Sequence, residues 1–113
     1  MIKVKIRAHD AARYLCLTVQ GHAGYAEKGQ DIVCSASSIL AYTVAQIARE
    51  LTEGGAVKGK PCIELTEGDA KVMFRCKSEE AYTRARGAFS VAKTGYELLA
   101  HNFPQCVDVT SVG

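Results

Sequence analysis

The apolar residues of this chain change twice from strand-like to helix-like spacing, and this change restricts the fold more than any other feature. Residues 2–7 and 15–20 alternate apolar and polar side chains, which predicts two half-buried strands joined as a hairpin. Apolar side chains then recur three and four positions apart over residues 32–51. This spacing predicts a helix with one buried face, capped at its start by Asp31 and ended by glycines at 54–55.

The second half of the chain follows the same order of hairpin and helix. Residues 62–65 and 71–76 predict two strands around a turn at 67–69. A second, longer helix is predicted near residues 79–102, and residues 107–109 predict a last short strand.

The order β-β-α-β-β-α-β predicts an α+β two-layer sandwich, with two helices packed on one face of a mostly antiparallel sheet. The chain has 113 residues, of which 48% are apolar. We therefore expect one domain, residues 1–113, whose core needs neither disulfides nor a metal. The composition is too apolar and too close to neutral for a disordered protein.

The charge distribution along the chain gives little indication of a partner. Residues 1–60 carry eight Lys and Arg against five Asp and Glu, and residues 61–113 carry six against seven. Nucleic-acid-binding domains are usually more basic, so no direct nucleic-acid partner is expected. No apolar run approaches the roughly 20 residues that span a bilayer, and residues 1–7 do not resemble a signal peptide. We expect a cytoplasmic protein without a membrane partner.

Five cysteines are scattered along the chain, with no Cys-x-x-Cys pair. A locally built zinc ribbon or thioredoxin-type motif is therefore excluded, and no metal or other cofactor is expected. In a reducing compartment, a free cysteine is by default a small, buried apolar residue. We interpret four of the five in this way: Cys16, Cys62, Cys76 and Cys106.

Cys34 departs from this default because it falls in the first turn of the predicted helix. The unpaired N–H groups and the positive end of the helix dipole favour its thiolate, which is the nucleophilic form. His22, just past a predicted strand, could pair with the thiolate and later protonate a leaving group. Free N–H groups at the helix start could bind an oxyanion. On these residues alone, a packed cysteine and a turn histidine remain the plainer alternative.

Two further polar residues flank Cys34. Asp31 is interpreted mainly as the helix cap and secondarily as a partner that orients His22, although its charge would oppose a nearby thiolate. Ser38 lies one turn beyond Cys34 on the same face. Its hydroxyl could donate to the sulfur or bond back to the carbonyl of Cys34.

These residues carry a family resemblance. The tetrapeptide Gly21-His22-Ala23-Gly24, together with the stretch at 29–38, resembles the signature of the bacterial ribosomal-processing cysteine protease family, Prp. The resemblance extends over essentially the whole chain. It implies a homodimeric cysteine endopeptidase that removes the N-terminal extension of large-subunit ribosomal protein number twenty-seven, cutting after an aromatic residue.

The resemblance also implies roles for individual residues. His22 and Cys34 match the catalytic dyad, and Gly21 and Asp31 match further motif positions. Residues 24–30 match a flexible, substrate-binding loop over the site, in which we expect three positions to matter: Gly24 and Gly29 as hinges, and Tyr25. Tyr25 either touches substrate or is simply a loop aromatic.

Two other functions stay open at the level of sequence. The first is a non-enzymatic, ribosome-associated module that binds a peptide in the same groove without cutting it. The second is a redox sensor in which Cys34 forms a sulfenate or a mixed disulfide, although no resolving cysteine lies nearby in sequence.

Overall fold

Strands and helices follow one another in the predicted order. The computed structural model describes residues 1–27 and 29–113. Its elements are β1 (Ile2–His9), β2 (Tyr14–Gln20), α1 (Ile32–Glu53), β3 (Val57–Thr66), β4 (Asp69–Cys76), α2 (Glu79–Asn102) and β5 (Val107–Val112). The predicted α+β architecture and both predicted helices are therefore confirmed.

The sheet is mixed, with a single parallel pair at one edge. The strand order is β3-β4-β2-β1-β5; β1 and β5 run parallel, and the other neighbours are antiparallel. The parallel pair follows from the long crossover through α2, whereas both antiparallel hairpins are joined by short connections. The prediction of a mostly antiparallel sheet is confirmed.

The core lies between one face of the sheet and both helices. On the sheet side, alternate residues of β1 and β2 are buried; these are Ile2, Val4, Ile6, Leu15, Leu17 and Val19. Helix α1 buries seven residues and α2 buries six, and all of these except Ser37 belong to the same apolar cluster. The buried Tyr96 hydroxyl donates to the carbonyl oxygen of Ser37 at 2.8 Å, which fixes α2 against the first turns of α1.

Helix α1 has an apolar composition. Among the described helices it is the one long and apolar enough to cross a membrane, with a mean hydropathy of 1.3 over 18 residues. The core helix of a globular protein meets the same criterion. Here the buried face of α1 contacts α2, β3 and β4.

Strand β3 begins five residues before its predicted start at Cys62. The pairing of β3 with β4 shifts between Lys58 and Cys62. Gly59 lies inside that bulge at φ +72°, next to Lys60 and Pro61. A bulge interrupts the alternation on which strand prediction depends, so the first half of β3 carries no strand pattern.

Candidate active site

A cleft of about 870 Å³ opens beside the first turns of α1. Its walls come mainly from three segments: residues 21–26 with Gly29 after β2, the first turns of α1, and the β3–β4 connection at 65–70. His22 and Cys34, the two residues predicted to react, both line it. The volume is within the range of clefts that take a small molecule or a few residues of peptide.

Asp31 caps the helix that carries Cys34, as predicted. Its Oδ1 accepts hydrogen bonds from the N–H groups of Val33 at 3.0 Å and Cys34 at 2.9 Å. These are two of the four N–H groups that a helix start leaves without an intrahelical partner. The cap fixes Cys34 in the first turn, with its side chain half-buried in the cleft wall.

The second oxygen of Asp31 holds the segment that crosses the cleft. Oδ2 accepts from the N–H of Tyr25 at 3.1 Å and from that of Ala26 at 3.4 Å. Burial raises the pKa of Asp31, but the hydrogen bonds from Cys34, Ala26 and Tyr25 outweigh it and hold the pKa below the usual 3.8. Both oxygens accept from backbone amides, and among residues 1–27 and 29–113 no hydrogen bond joins Asp31 to His22, the partner considered for it.

His22 lies in the part of the cleft wall beside the β3–β4 turn. Its imidazole lies over Gly68 of the β3–β4 turn, so closely that a Cβ on Gly68 would come within 2.7 Å of Nε2. The N–H of Gly21 donates to the carbonyl oxygen of Gly68 at 2.7 Å, which joins the end of β2 to that turn. Gly21 has φ +97°, and a Cβ there would lie 2.4 Å from the Met1 carbonyl oxygen. This position therefore requires glycine.

Cys34 receives a hydrogen bond from the residue that follows His22. The N–H of Ala23 donates to Sγ of Cys34 at 3.3 Å. A negatively charged sulfur accepts such a bond more strongly than a neutral thiol does. Within the described part of the chain, no hydrogen bond joins the His22 imidazole to Sγ itself. The two side chains thus share the cleft, with the Ala23 amide as the contact between their segments.

The expected oxyanion donors at the helix start are largely occupied. The N–H groups of Val33 and Cys34 already bond to Asp31, so neither is free for a substrate oxygen. Ser38 lines the cleft one turn beyond Cys34. In the described chain its hydroxyl makes neither of the two hydrogen bonds considered for it.

The predicted substrate-binding loop divides between the cleft and the far end of α2. Gly24 and Gly29 line the cleft with φ +68° and +87°, conformations that favour glycine. Tyr25 does not line it; its ring packs edge-on against Phe103, with the centroids 5.3 Å apart. Of the predicted loop 24–30, Lys28 lies outside the described residues.

Two contributors to the site were not anticipated from sequence. Residues 67–69 were predicted only as a hairpin turn, yet Gly68 supports the His22 ring. The identity of Ala23 did not indicate a role in the site, because it contributes only its backbone N–H. Neither could have been found from local patterns, since both contacts join segments that are distant along the chain.

The other four cysteines lie away from the cleft lining, and all five are free. Cys16 and Cys76 are buried, as their interpretation as apolar filler predicts, while Cys62 and Cys106 are half-buried. Among residues 1–27 and 29–113, no three His, Cys, Asp or Glu side chains are grouped so that they could hold a metal ion.

Several solved structures share this fold. The ribosomal processing protease Prp of S. aureus, in complex with a covalently linked product peptide, matches with a TM-score of 0.70 at 19% identity, covering 98% of this chain and 99% of that one. The same protease with a substrate peptide matches with a TM-score of 0.65 at 16% identity over 98% and 99%. SMU.848 from Streptococcus mutans matches with a TM-score of 0.64 at 22% identity over 99% and 94%.

The sequence itself was compared with protein families and with curated proteins. No curated protein matches the chain. The model of one family, described as cysteine protease Prp, matches residues 1–108, which is nearly the entire sequence. The chain therefore belongs to the Prp family of cysteine proteases.

Proposed function

We propose that this protein is a ribosomal-processing endopeptidase that removes the N-terminal extension of large-subunit ribosomal protein number twenty-seven. In this proposal it acts in the cytoplasm, as a homodimer, and cuts after an aromatic residue. Cys34 is the nucleophile and His22 is the general acid and base. The proposal extends the family membership to a particular substrate and to particular residues.

One observation carries the proposal: a cysteine at a capped helix start and a histidine line the same open cleft. The helix dipole favours a thiolate at that position. The cleft is bounded on the far side by a β-turn and crossed by a segment held through Asp31. The cleft is open and, at about 870 Å³, large enough for a few residues of a peptide.

The first half of the reaction forms an acyl-enzyme. The imidazole of His22 takes the proton of Cys34, and Sγ attacks the scissile carbonyl carbon while the carbonyl electron pair moves to oxygen. When the carbonyl reforms, the C–N bond breaks and the imidazolium gives its proton to the departing amine. To do this, the His22 ring must move from its position over Gly68 toward Sγ.

The second half restores the enzyme. Water attacks the thioester carbonyl carbon and loses a proton to the His22 imidazole, the C–S bond breaks, and the imidazolium returns that proton to Sγ. The peptide leaves as a carboxylic acid, which gives its proton to solvent. The negative oxygen of each tetrahedral intermediate needs a fixed donor. The Ala23 N–H, which bonds to Sγ at 3.3 Å in the free protein, is the donor that we assign to this oxygen, because Sγ loses its negative charge on bonding to carbon and then accepts that N–H less strongly.

Known proteins support the choice of substrate. The S. aureus protease with the same fold is described as an essential ribosomal processing protease and has been crystallised with substrate and product peptides. A ribosomal protein extension is a flexible peptide of the kind that an open cleft can admit.

The decisive experiment is incubation with the extended ribosomal protein, followed by intact mass over time. We expect one cut after an aromatic residue and a loss of at least about 10⁴-fold for Cys34→Ala. Cys106→Ala is the matched control, because Cys106 is also half-buried but lies outside the cleft lining. It should cleave at the rate of the unmodified protein.

Each alternative function gives a different result in this assay. Saturable binding of the extension without time-dependent product would indicate a peptide-binding module. Peroxide-dependent sulfenate on Cys34 without cleavage would indicate a redox sensor. Normal cleavage by Cys34→Ala, with loss in Cys106→Ala, would overturn the assignment of the nucleophile.

A further inference from the structure

The sheet face turned away from the helices is strongly basic. Side chains that are paired across strands point to the same face, so the registers assign each strand residue to one side of the sheet. Six exposed cations occupy the face opposite the core: Lys3, Lys5, Arg7, Lys58, Lys71 and Arg75. Three carboxylates share it: Glu64, Asp69 and Asp108. This open face therefore has an excess of three positive charges, more than the net +2 of the whole chain.

The cations form two lines on either side of a neutral strand. Lys5 and Arg7 of β1 lie on one side of β2, and Lys71 and Arg75 of β4 lie on the other. The open-face residues of β2 are uncharged; they are Tyr14, Cys16, Thr18 and Gln20. Since neighbouring strands are about 4.8 Å apart, the two lines are separated by about 10 Å.

These cations are not neutralised within the described chain. Arg13 pairs with Glu79 and Arg86 pairs with Asp10, and in the part of the chain that the structure describes none of the six cations forms an ion pair. Two of the three carboxylates, Asp69 and Asp108, lie in the same cross-strand row as Lys3, at one end of the face. The rest of the face keeps five cations against Glu64 alone. Glu64 is the cross-strand partner of Lys71, while Lys5, Arg7, Lys58 and Arg75 have no carboxylate as a direct cross-strand partner.

An aromatic ring stands at the basic end of the neutral strand. Tyr14 is half-buried, and the Arg75 guanidinium carbon lies 5.7 Å from its ring centroid. A ring beside a cation is the combination on which single-stranded nucleic acids stack their bases. An anionic membrane would instead require several large apolar side chains projecting from the surface, and among the strand residues of this face Val112, at the β5 edge, is the one large exposed hydrophobic side chain.

From these observations we propose that the open face binds a single strand of RNA along β2, with phosphates against the two lines of cations and a base on Tyr14. The choice of RNA over DNA rests on the proposed ribosomal function. The two lines of cations are observed in the structure whether or not that function is correct. None of the six cations lines the cleft. Bound RNA would therefore leave the cleft accessible, so that the enzyme could act on a ribosomal protein close to ribosomal RNA.

The test measures binding of a fluorescent twelve-nucleotide uridine RNA by anisotropy between 50 and 200 mM salt. Four phosphate contacts predict a loss of affinity of about 50-fold across that range, since the exponent for single strands is about 0.7 per contact. The triple variant Lys5→Gln, Arg7→Gln and Lys71→Gln should bind weakly and lose only about threefold.

A matched control keeps the same net charge. Arg49→Gln, Arg84→Gln and Lys93→Gln remove three cations from the helices instead of the open face. This variant should retain the affinity of the unmodified chain within about twofold, and circular dichroism should show both variants folded.

The outcomes separate this proposal from the protease proposal. Equal loss of RNA binding in both triple variants, or no salt-dependent binding, would overturn the RNA site. Tighter binding of the matched DNA strand, or face-dependent binding to phosphatidylserine vesicles in place of RNA, would overturn the choice of ligand. Binding requires no cleavage, so RNA binding by a chain that cuts no ribosomal protein would refute the protease proposal alone.

Discussion

The two walls of the cleft are held in place by different kinds of interaction. Cys34 is held by Asp31, three residues away, through a helix cap. His22 is held by Gly68, 46 positions along the chain, through contact with a turn and the neighbouring Gly21 hydrogen bond. The cysteine wall is therefore local in sequence, and the histidine wall exists only after the sheet has formed.

This difference indicates which wall can move. The cap uses charge-assisted hydrogen bonds from backbone N–H groups to a buried carboxylate, which are among the stronger interactions of a fold. The exposed imidazole rests on a single glycine without a hydrogen bond to Sγ in the described chain. We infer that the nucleophile is fixed in advance and that the histidine completes the site when substrate binds.

The largest effect is expected when a methyl group is added to Gly68, beside the His22 ring. Gly68→Ala places a Cβ 2.7 Å from Nε2 of His22, so the ring must shift. We expect peptide turnover to fall on the order of 100-fold because the base is displaced. Steady-state cleavage of a peptide substrate measures the effect.

The control for this variant is Gly55→Ala. Gly55 has φ +77°, close to the +82° of Gly68, but a Cβ there meets nothing within 4 Å. Both variants should lose about 1–2 kcal/mol of stability from the strained alanine, and only Gly68→Ala should lose turnover. Equal turnover losses would mean that backbone strain, not the His22 contact, is responsible.

The cysteine wall is tested by removing its cap. Asp31→Ala should lower the free energy of unfolding by about 1–2 kcal/mol and reduce turnover about tenfold, since both the helix start and the Tyr25–Ala26 segment lose their acceptor. Ser78→Ala is the matched control, because Ser78 caps α2 by accepting from the Ala81 N–H. It should cost about 1 kcal/mol and leave turnover unchanged. An equal loss of turnover in Ser78→Ala would reduce the role of Asp31 to general stability.

The charge of Asp31 predicts how this wall responds to acid. Because its pKa is lower in the folded state than the ordinary 3.8, its contribution to stability is complete above that value and is lost as pH falls through the folded pKa. Urea midpoints between pH 6 and pH 2 should decline less steeply for Asp31→Asn than for the unmodified chain. If the urea midpoints of the two proteins fell equally steeply, the charge of Asp31 would make no contribution to stability.

The helix cap that positions Cys34 was predicted from the sequence, and so were both helices. Asp31 precedes a run with helical spacing, and a cap needs only the few residues that follow it. Helix α2 was predicted at its observed limits because Ser78 caps it and the apolar spacing continues through it. In each case the determining interactions lie within one turn of the helix.

The features that could not be predicted from the sequence depend on the register in which the strands pair. The support of His22 by Gly68, and the grouping of six cations on one sheet face, follow from strand pairings that no local pattern encodes. The small charge difference between the two halves of the chain concealed this grouping, because most of the carboxylates that offset these cations lie outside the strands, on the helices and connecting segments. The role of the Ala23 N–H could not be predicted from the sequence either, since every residue except proline carries a backbone N–H donor.

The smallest expected effect concerns the segment that joins the two walls. Tyr25 packs edge-on against Phe103, which ties this segment to the end of α2. A double-mutant cycle with Tyr25→Ala and Phe103→Leu should give a coupling of about 0.5–1.5 kcal/mol in unfolding free energy. Turnover should change only a few-fold, because Tyr25 lies outside the cleft lining. Tyr25→Phe keeps the ring and should match the unmodified chain. A tenfold rise in KM for Tyr25→Ala without coupling to Phe103 would instead mean that Tyr25 touches substrate directly, and the segment would then belong to the substrate-binding surface.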